Sequence, residues 1–262
     1  MATNGKESSP LKVMLWSNPR TLSTVFLKCM SFVEGTQCIN EPYAVARVAG
    51  PEKPIPSDPE ELAAMEGFYA QYQAQLATVK MDLPKAFSND DCTFQWVKDT
   101  LEAPYPEKKL VFCKDQAFGI HGRFNMLPEG YRHTFLIRSP YKIYPSWRNV
   151  TLNMMPPDVI PLIQMDQLPE GVMPPKLGLG ELYDLLQYVT ENIDPKPIVI
   201  DADDLQSNPS SIMRQYCEAI GISFQESMLT WEKGDEITRD WIAASEFYAA
   251  ISSIPADIMT KL

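Results

Sequence analysis

A four-residue apolar run, Val13, Met14, Leu15 and Trp16, stops at Ser17, Asn18 and Pro19 and passes at once into a helix-periodic segment. The run predicts a short buried strand ended by a turn. From Thr21 onward Leu22, Val25, Phe26, Cys29, Met30 and Val33 recur at the spacing of one helix face, and Gly35 supplies a stop. A strand that runs straight into a helix constrains the fold more than any other stretch of this chain. The first helical turn carries Arg20, Thr21, Ser23 and Thr24. A helix N-terminus offers unpaired N–H groups and a partial positive charge, so hydroxyls and a guanidinium placed there form an anion socket suited to phosphate. The plainer alternative is an ordinary Ser/Thr cap with Arg20 as a surface charge. The segment S-N-P-R-T-L-S-T over residues 17–24 lacks both glycines and the lysine of the G-x-x-x-x-G-K-[ST] motif.

Three more strand candidates follow, at residues 109–114 (KLVFCK), 133–138 (HTFLIR) and 197–201 (PIVID), with helical patterns between them. Helices are expected near residues 61–80 and 93–101, the first of them after a Pro-rich linker at 51–60. Alternating strands and helices predict a mostly parallel sheet covered on both faces, with ligands at the carboxyl ends of the strands. That rule selects residues 17–24, 40–43, 114–116, 138–146 and 201–204. A length of 262 residues with 45% hydrophobic composition suits one sizeable α/β core. The expected division is a disordered tail over residues 1–10 and a single domain over 11–262. No apolar run approaches membrane-spanning length, and no opening stretch has signal-peptide character, which points to a cytoplasmic location. Five scattered cysteines without C-x-x-C spacing argue against a disulfide framework and a zinc site. A formal charge of -11 disfavours nucleic acid and anionic membrane as partners, while leaving room for a small anionic ligand held by a local cluster.

Arg138 ends a strand candidate, and Ser146 lies two turns into a helix that begins near Pro140. Together they are spaced to clamp one phosphate, the alternative being that Arg138 pairs with an acidic neighbour. The turn P-R-x-x-S-T after the first strand, followed by R-S-P-x-x-x-x-x-S after a later one, resembles the nucleotide-binding signatures of sulfotransferases that use 3'-phosphoadenosine 5'-phosphosulfate (PAPS). The similarity runs from about Lys12 to Trp231 and includes VIDADDLQSNPSSIMRQYCEAIGI, which is similar to that family's strand, D-D-L-x-x-x-P turn and helix. The chain resembles the divergent group with P-R-[ST]-x-S-T most, although Leu22 stands where many members have glycine.

The resemblance implies a P-loop-type three-layer sandwich with a mostly parallel central sheet flanked by helices. It implies that Asn18, Arg20, Thr21, Ser23, Thr24, Arg138 and Ser146 hold the nucleotide, with Arg20 near the bridging oxygen between phosphate and sulfuryl group. It implies no metal, with PAPS as donor and adenosine 3',5'-bisphosphate (PAP) as product. An attacking hydroxyl must lose a proton, so a general base is needed. Cytosolic members of the family use a K-x-H histidine after a middle strand, where this chain reads Lys114-Asp115-Gln116. His133 begins a strand at the opposite end, and His121 lies five residues past Gln116. Glu41 in CINEPYAV resembles the N-E-P-[FY] segment of carboxylate-using members and is the expected base, with a turn-capping carboxylate as the alternative. Lys114 is expected to donate to the sulfuryl oxygens or the leaving phosphate, unless it pairs with Asp115 or Glu41. Asp115 is the reserve base. The Met- and Pro-rich residues 151–180 read as an acceptor-binding cover, and Trp231, Lys233, Arg239 and Trp241 as candidates for adenine stacking or a second 3'-phosphate contact. The expected reaction is sulfuryl transfer to a hydroxyl of a small organic acceptor. A nucleotide-dependent phosphotransferase and a non-catalytic nucleotide-binding module are the alternatives.

Overall fold

The computed structural model describes residues 9–60, 62–63, 65–67, 70, 84–153, 174, 176–231 and 239–245. The first eight tail residues, most of the expected helix at 61–80, most of the Met-rich stretch, and Lys233 lie outside the described residues.

The apolar run forms β1 (Leu11–Ser17), and the chain then enters α1 (Ser23–Ser31). Next come β2 (Thr36–Asn40), α2 (Pro42–Val48), the short strand β3 (Ala86–Phe87) and α3 (Phe94–Glu102). The α3 helix starts where Thr93, an N-cap, accepts from the Trp96 amide at 3.0 Å. Then follow β4 (Leu110–Gln116), the single-turn helix α4 (Ala117–Ile120), β5 (Arg132–Ile137) and α5 (Pro140–Asn153). The described chain closes with α6 (Leu179–Asn192), β6 (Ile198–Asp201), α7 (Ala202–Ser207), α8 (Pro209–Ile220) and β7 (Ile242–Ala244).

The seven strands form one sheet in the order β3-β7-β2-β4-β1-β5-β6. Every pairing is parallel, which makes the expected α/β class a finding. The continuous apolar character of β1 has a direct cause, since its side chains alternate between two cores. Val13 and Leu15 pack with Phe26, Leu27 and Met30 of α1 and with Met213 and Tyr216 of α8. Met14 and Trp16 pack on the other face with Tyr43 of α2, Val97 of α3 and Leu185 of α6. Each fully buried Leu, Phe or Met contributes about 1.5–3 kcal/mol over exposure, so a polar residue at any of positions 13–16 would forfeit that burial. β1 lies centrally, with β4 on one side and β5 on the other. The carboxyl ends of β1, β2, β4 and β5 therefore face one crevice.

Candidate active site

β1 ends at Ser17 and the loop that follows turns sharply, with Arg20 at φ 68° and Leu22 at φ 65° in the left-handed region. Thr21, buried, donates its hydroxyl to the Asn18 carbonyl at 2.8 Å and closes the loop on itself. The loop then delivers the N-terminus of α1, whose first turn carries no acidic residue. Leu22, which stands where many members of the resembled family have glycine, adopts the conformation glycine favours.

Arg138, at the end of β5, donates through Nη1 to the Arg20 carbonyl at 2.8 Å. Its Nε faces Asp203 Oδ1 at 3.5 Å and its Nη2 donates to Gln206 Oε1 at 3.3 Å. Lys142 of α5 pairs with the same Asp203 oxygen at 2.9 Å. Arg20 Nε donates to Ser146 Oγ at 3.0 Å. The expected Arg138 and Ser146 are thus brought together through Arg20. Desolvation, and then the neighbouring charge of Arg138, pull the Arg20 guanidinium below its ordinary value. Two like charges so close favour an anion between them.

Glu41 follows β2 at φ 55°, with its amide donating to the Lys114 carbonyl at 2.8 Å. Asn40 is in register with Lys114, and Ser17 with Gln116, so neighbouring strand ends carry all these groups. Glu41 Oε1 accepts from the Lys114 ammonium and from Gln116 Nε2, the latter at 2.6 Å. Lys114 is 1% exposed and Glu41 17%. Breaking such a buried pair would strand a charge.

A cleft of about 340 Å³ joins the two halves. Arg20, Ser23, Thr24 and Arg138 line one side, Glu41 and Gln116 another, and Val48, Phe118 and Trp147 supply apolar walls. Lys114, Asn18 and Thr21 stand behind this surface. Asn18 is 1% exposed, and its side-chain amide has no hydrogen-bond partner among the described residues. A Cβ at Gly178, whose φ is 78°, would lie 1.8 Å from Asn18 Oδ1, so only glycine fits against it.

Asp115 faces away from Glu41, and its two oxygens accept from the amides of Tyr43 at 2.7 Å, Ala44 at 3.1 Å and Gln116 at 2.7 Å. It caps α2 and holds the helix that directly follows Glu41; all its oxygens are engaged, so the reserve-base reading gives way to a positioning one. Burial pushes its carboxyl up, to about 7; the Tyr43 amide resists most, and the charge of Glu41 adds to the rise. Because the folded value lies above the ordinary 3.8 of an aspartate, this group's contribution to stability is full below about pH 4 and is lost as pH rises through about 7. Urea unfolding between pH 4 and pH 8 is expected to show that loss in the native chain and a flatter profile in Asp115→Asn. Parallel profiles for the two proteins would contradict the linkage.

His121 Nε2 lies 2.9 Å from Asp184 Oδ2 on α6, outside the cleft. His133 is buried, accepts from Trp16 Nε1 at 3.0 Å and is pushed down to about 4 by desolvation, so it is a neutral core histidine as its place in β5 suggests. Trp241 is buried against the α1 face and donates to Ser31 Oγ at 2.8 Å, which gives it a packing role in place of adenine stacking. Trp231 stacks on Phe32. Sequence reasoning missed Gln116 as a partner of Glu41, and Gln206 and Lys142 near Arg138, whereas the pairing of Arg138 with an acidic neighbour, Asp203, is the alternative the sequence had offered. The rule of strand carboxyl ends had pointed to both regions.

Residues 193–256 match the family model described as a sulfotransferase domain. The fold resembles the sulfotransferase domain of the Synechococcus PCC 7002 olefin synthase, with TM-score 0.51 and 18% identity, covering 100% of this chain and 92% of that one. It also resembles the sulfotransferase domain from the curacin biosynthetic pathway, with TM-score 0.51 and 14% identity over 96% and 90%. Two Arabidopsis thaliana proteins, branched-chain-amino-acid aminotransferase-like proteins 2 and 1, are 28% and 27% identical over 90% and 93% of this chain. The chain spans about a third of the length of these curated relatives, 34% and 36%.

Proposed function

We propose, from the match of residues 193–256 to a sulfotransferase-domain model and the fold shared with two sulfotransferase domains, that the chain moves a sulfuryl group from PAPS to a hydroxyl of a small organic acceptor. The observation that carries this reading is the sharing of one cleft by an anion socket and a carboxylate: Arg20, Ser23, Thr24 and Arg138 line it together with Glu41. In this reading Ser23, Thr24 and the free amides of α1 hold the 5'-phosphate. Arg138 and Ser146 take the 3'-phosphate, exchanging present protein partners for phosphate oxygens. Arg20, released from Ser146, stabilises the charge that develops on the bridging oxygen. Glu41 accepts the acceptor's proton. Lys114, buried behind Glu41, orients that carboxylate. The apolar walls of the cleft suit the body of a small organic acceptor.

The test is nucleotide selectivity. Calorimetry is expected to show PAP binding at least tenfold tighter than 5'-AMP, because charged hydrogen bonds to the 3'-phosphate are each worth about 1.5–3 kcal/mol. Equal affinities would remove Arg138 and Ser146 from the nucleotide site and the donor assignment with them. Tight PAP binding with no sulfated product from any hydroxyl acceptor would instead mark a binding module.

A further inference from the structure

The carboxylate in the cleft is held asymmetrically. Glu41 Oε1 accepts two hydrogen bonds, from Lys114 Nζ and from Gln116 Nε2, whereas Oε2 has no hydrogen-bond partner among the described residues. Both donors come from alternate positions of β4, so they lie on one face of the strand. Gln116 is itself fixed. It is 5% exposed, its backbone N–H donates to Asp115 Oδ1 at 2.7 Å, and its side-chain Oε1 lies 3.3 Å from the Ser17 hydroxyl. The flip of the side-chain amide is set by Glu41, because an ionised carboxylate only accepts and so takes Nε2, which turns Oε1 toward the Ser17 hydroxyl, whose proton it shares with the Asp115 carbonyl at 3.1 Å. Ser17, Gln116, Glu41 and Lys114 thus form a chain of hydrogen bonds across the ends of β1, β4 and β2.

We infer that Gln116 is a positioning residue that, with Lys114, reserves Glu41 Oε1 for hydrogen bonding and leaves Oε2 as the oxygen that takes the acceptor's proton. An oxygen that already accepts an ammonium and an amide is a poor proton acceptor, and a second oxygen on the same carbon is aimed by the bonds the first one makes. The step balances as one displacement. The acceptor O–H proton passes to Oε2 while the acceptor oxygen forms a bond to sulfur. The bond from sulfur to the bridging oxygen breaks, and its electron pair leaves with the phosphate of PAP. Gln116 touches none of the reacting atoms and acts through the orientation of Glu41. The inference rests on the sulfuryl-transfer reading above and adds an assignment of the two carboxylate oxygens.

The experiment uses the full chain with PAPS and a turned-over hydroxyl acceptor, and compares Gln116→Met, Glu41→Gln and the double variant. Gln116→Met keeps the length of the side chain and removes its donor. It is expected to lower kcat about tenfold, the loss of one hydrogen bond to a charged group, while the KM of the acceptor and the affinity for PAP stay within about twofold. In the Glu41→Gln background the same change is expected to cost less than about twofold, because the carboxylate it orients is gone. Gln116→Asn, whose amide falls one methylene short of Oε1, is expected to repeat the kcat loss and keeps the question open to measurement if Gln116→Met fails to fold. Unchanged kcat in these variants while Glu41→Gln is inactive would overturn the inference and leave the base assignment standing. A tenfold loss that persists undiminished in the Glu41→Gln background would overturn it too. Near-normal turnover by Glu41→Gln alone would overturn the base assignment, and the inference with it.

Discussion

Glu41→Gln is expected to lower turnover by about 10²–10⁴-fold while the affinity for PAP barely moves. The amide preserves the shape of the carboxylate and an oxygen able to accept from Lys114 and Gln116, and it removes the capacity to take a proton. Glu41 is also the residue at which the loop after β2 turns through φ 55°, so glutamine keeps the backbone question separate from the chemical one. Stopped assays with labelled donor, run where chemistry limits the rate, measure the effect. Loss of nucleotide affinity together with rate would show a carboxylate whose role is structural. Asp115→Asn and His121→Gln serve as controls and should each cost much less, since Asp115 caps α2 and His121 pairs with Asp184 away from the cleft.

Arg20→Ala is expected to reduce kcat by about 10²–10³-fold, the range found when a single donor to a developing oxyanion is removed. The substitution leaves the left-handed backbone at position 20 no better and no worse accommodated, because alanine carries the same Cβ. Its thermal stability should therefore stay close to that of the native chain, with only the exposed bond to Ser146 lost. Arg20→Lys should recover part of the rate, since it restores charge without the planar fork. A loss below about tenfold in Arg20→Ala would place the charge-stabilising group elsewhere, with Arg138 the nearest guanidinium.

Much of the fold could be read from residues 11–17, 110–116 and 132–137, because strands covered on both faces carry unbroken apolar runs. β3 and β7 escaped for a physical reason: strands of two and three residues have no period to detect, and their place at one side of the sheet is decided by tertiary pairing. The start of α1 was displaced by two residues, from Thr21 to Ser23, since the left-handed turns at Arg20 and Leu22 come from loop geometry, which periodicity does not report. At the site, Arg20, Ser23, Thr24, Glu41 and Arg138 were visible as polar residues following strands, and they do line one cleft. Asn18 and Thr21 belong to the same loop but turn inward, a distinction of one side-chain direction that sequence spacing does not resolve. The bond from Arg20 to Ser146 joins residues 126 positions apart, and only the packing of α5 beside the first loop creates it.

The order β2, β4, β1 at the middle of the sheet also works as a ruler. Adjacent strands stand about 4.8 Å apart, so the backbone that launches Glu41 and the backbone that launches the Arg20 loop begin about 10 Å from one another, with one strand between them. In the proposed reaction, that gap is the span within which a proton acceptor, an attacking oxygen, a group in flight and a leaving oxygen would line up. Loops can be lengthened and side chains exchanged, but the separation of the two launching points is inherited from the hydrogen-bond pitch of the polypeptide itself. The reach of the side chain at position 41 is therefore matched to a length that the backbone sets and that substitution cannot rescale.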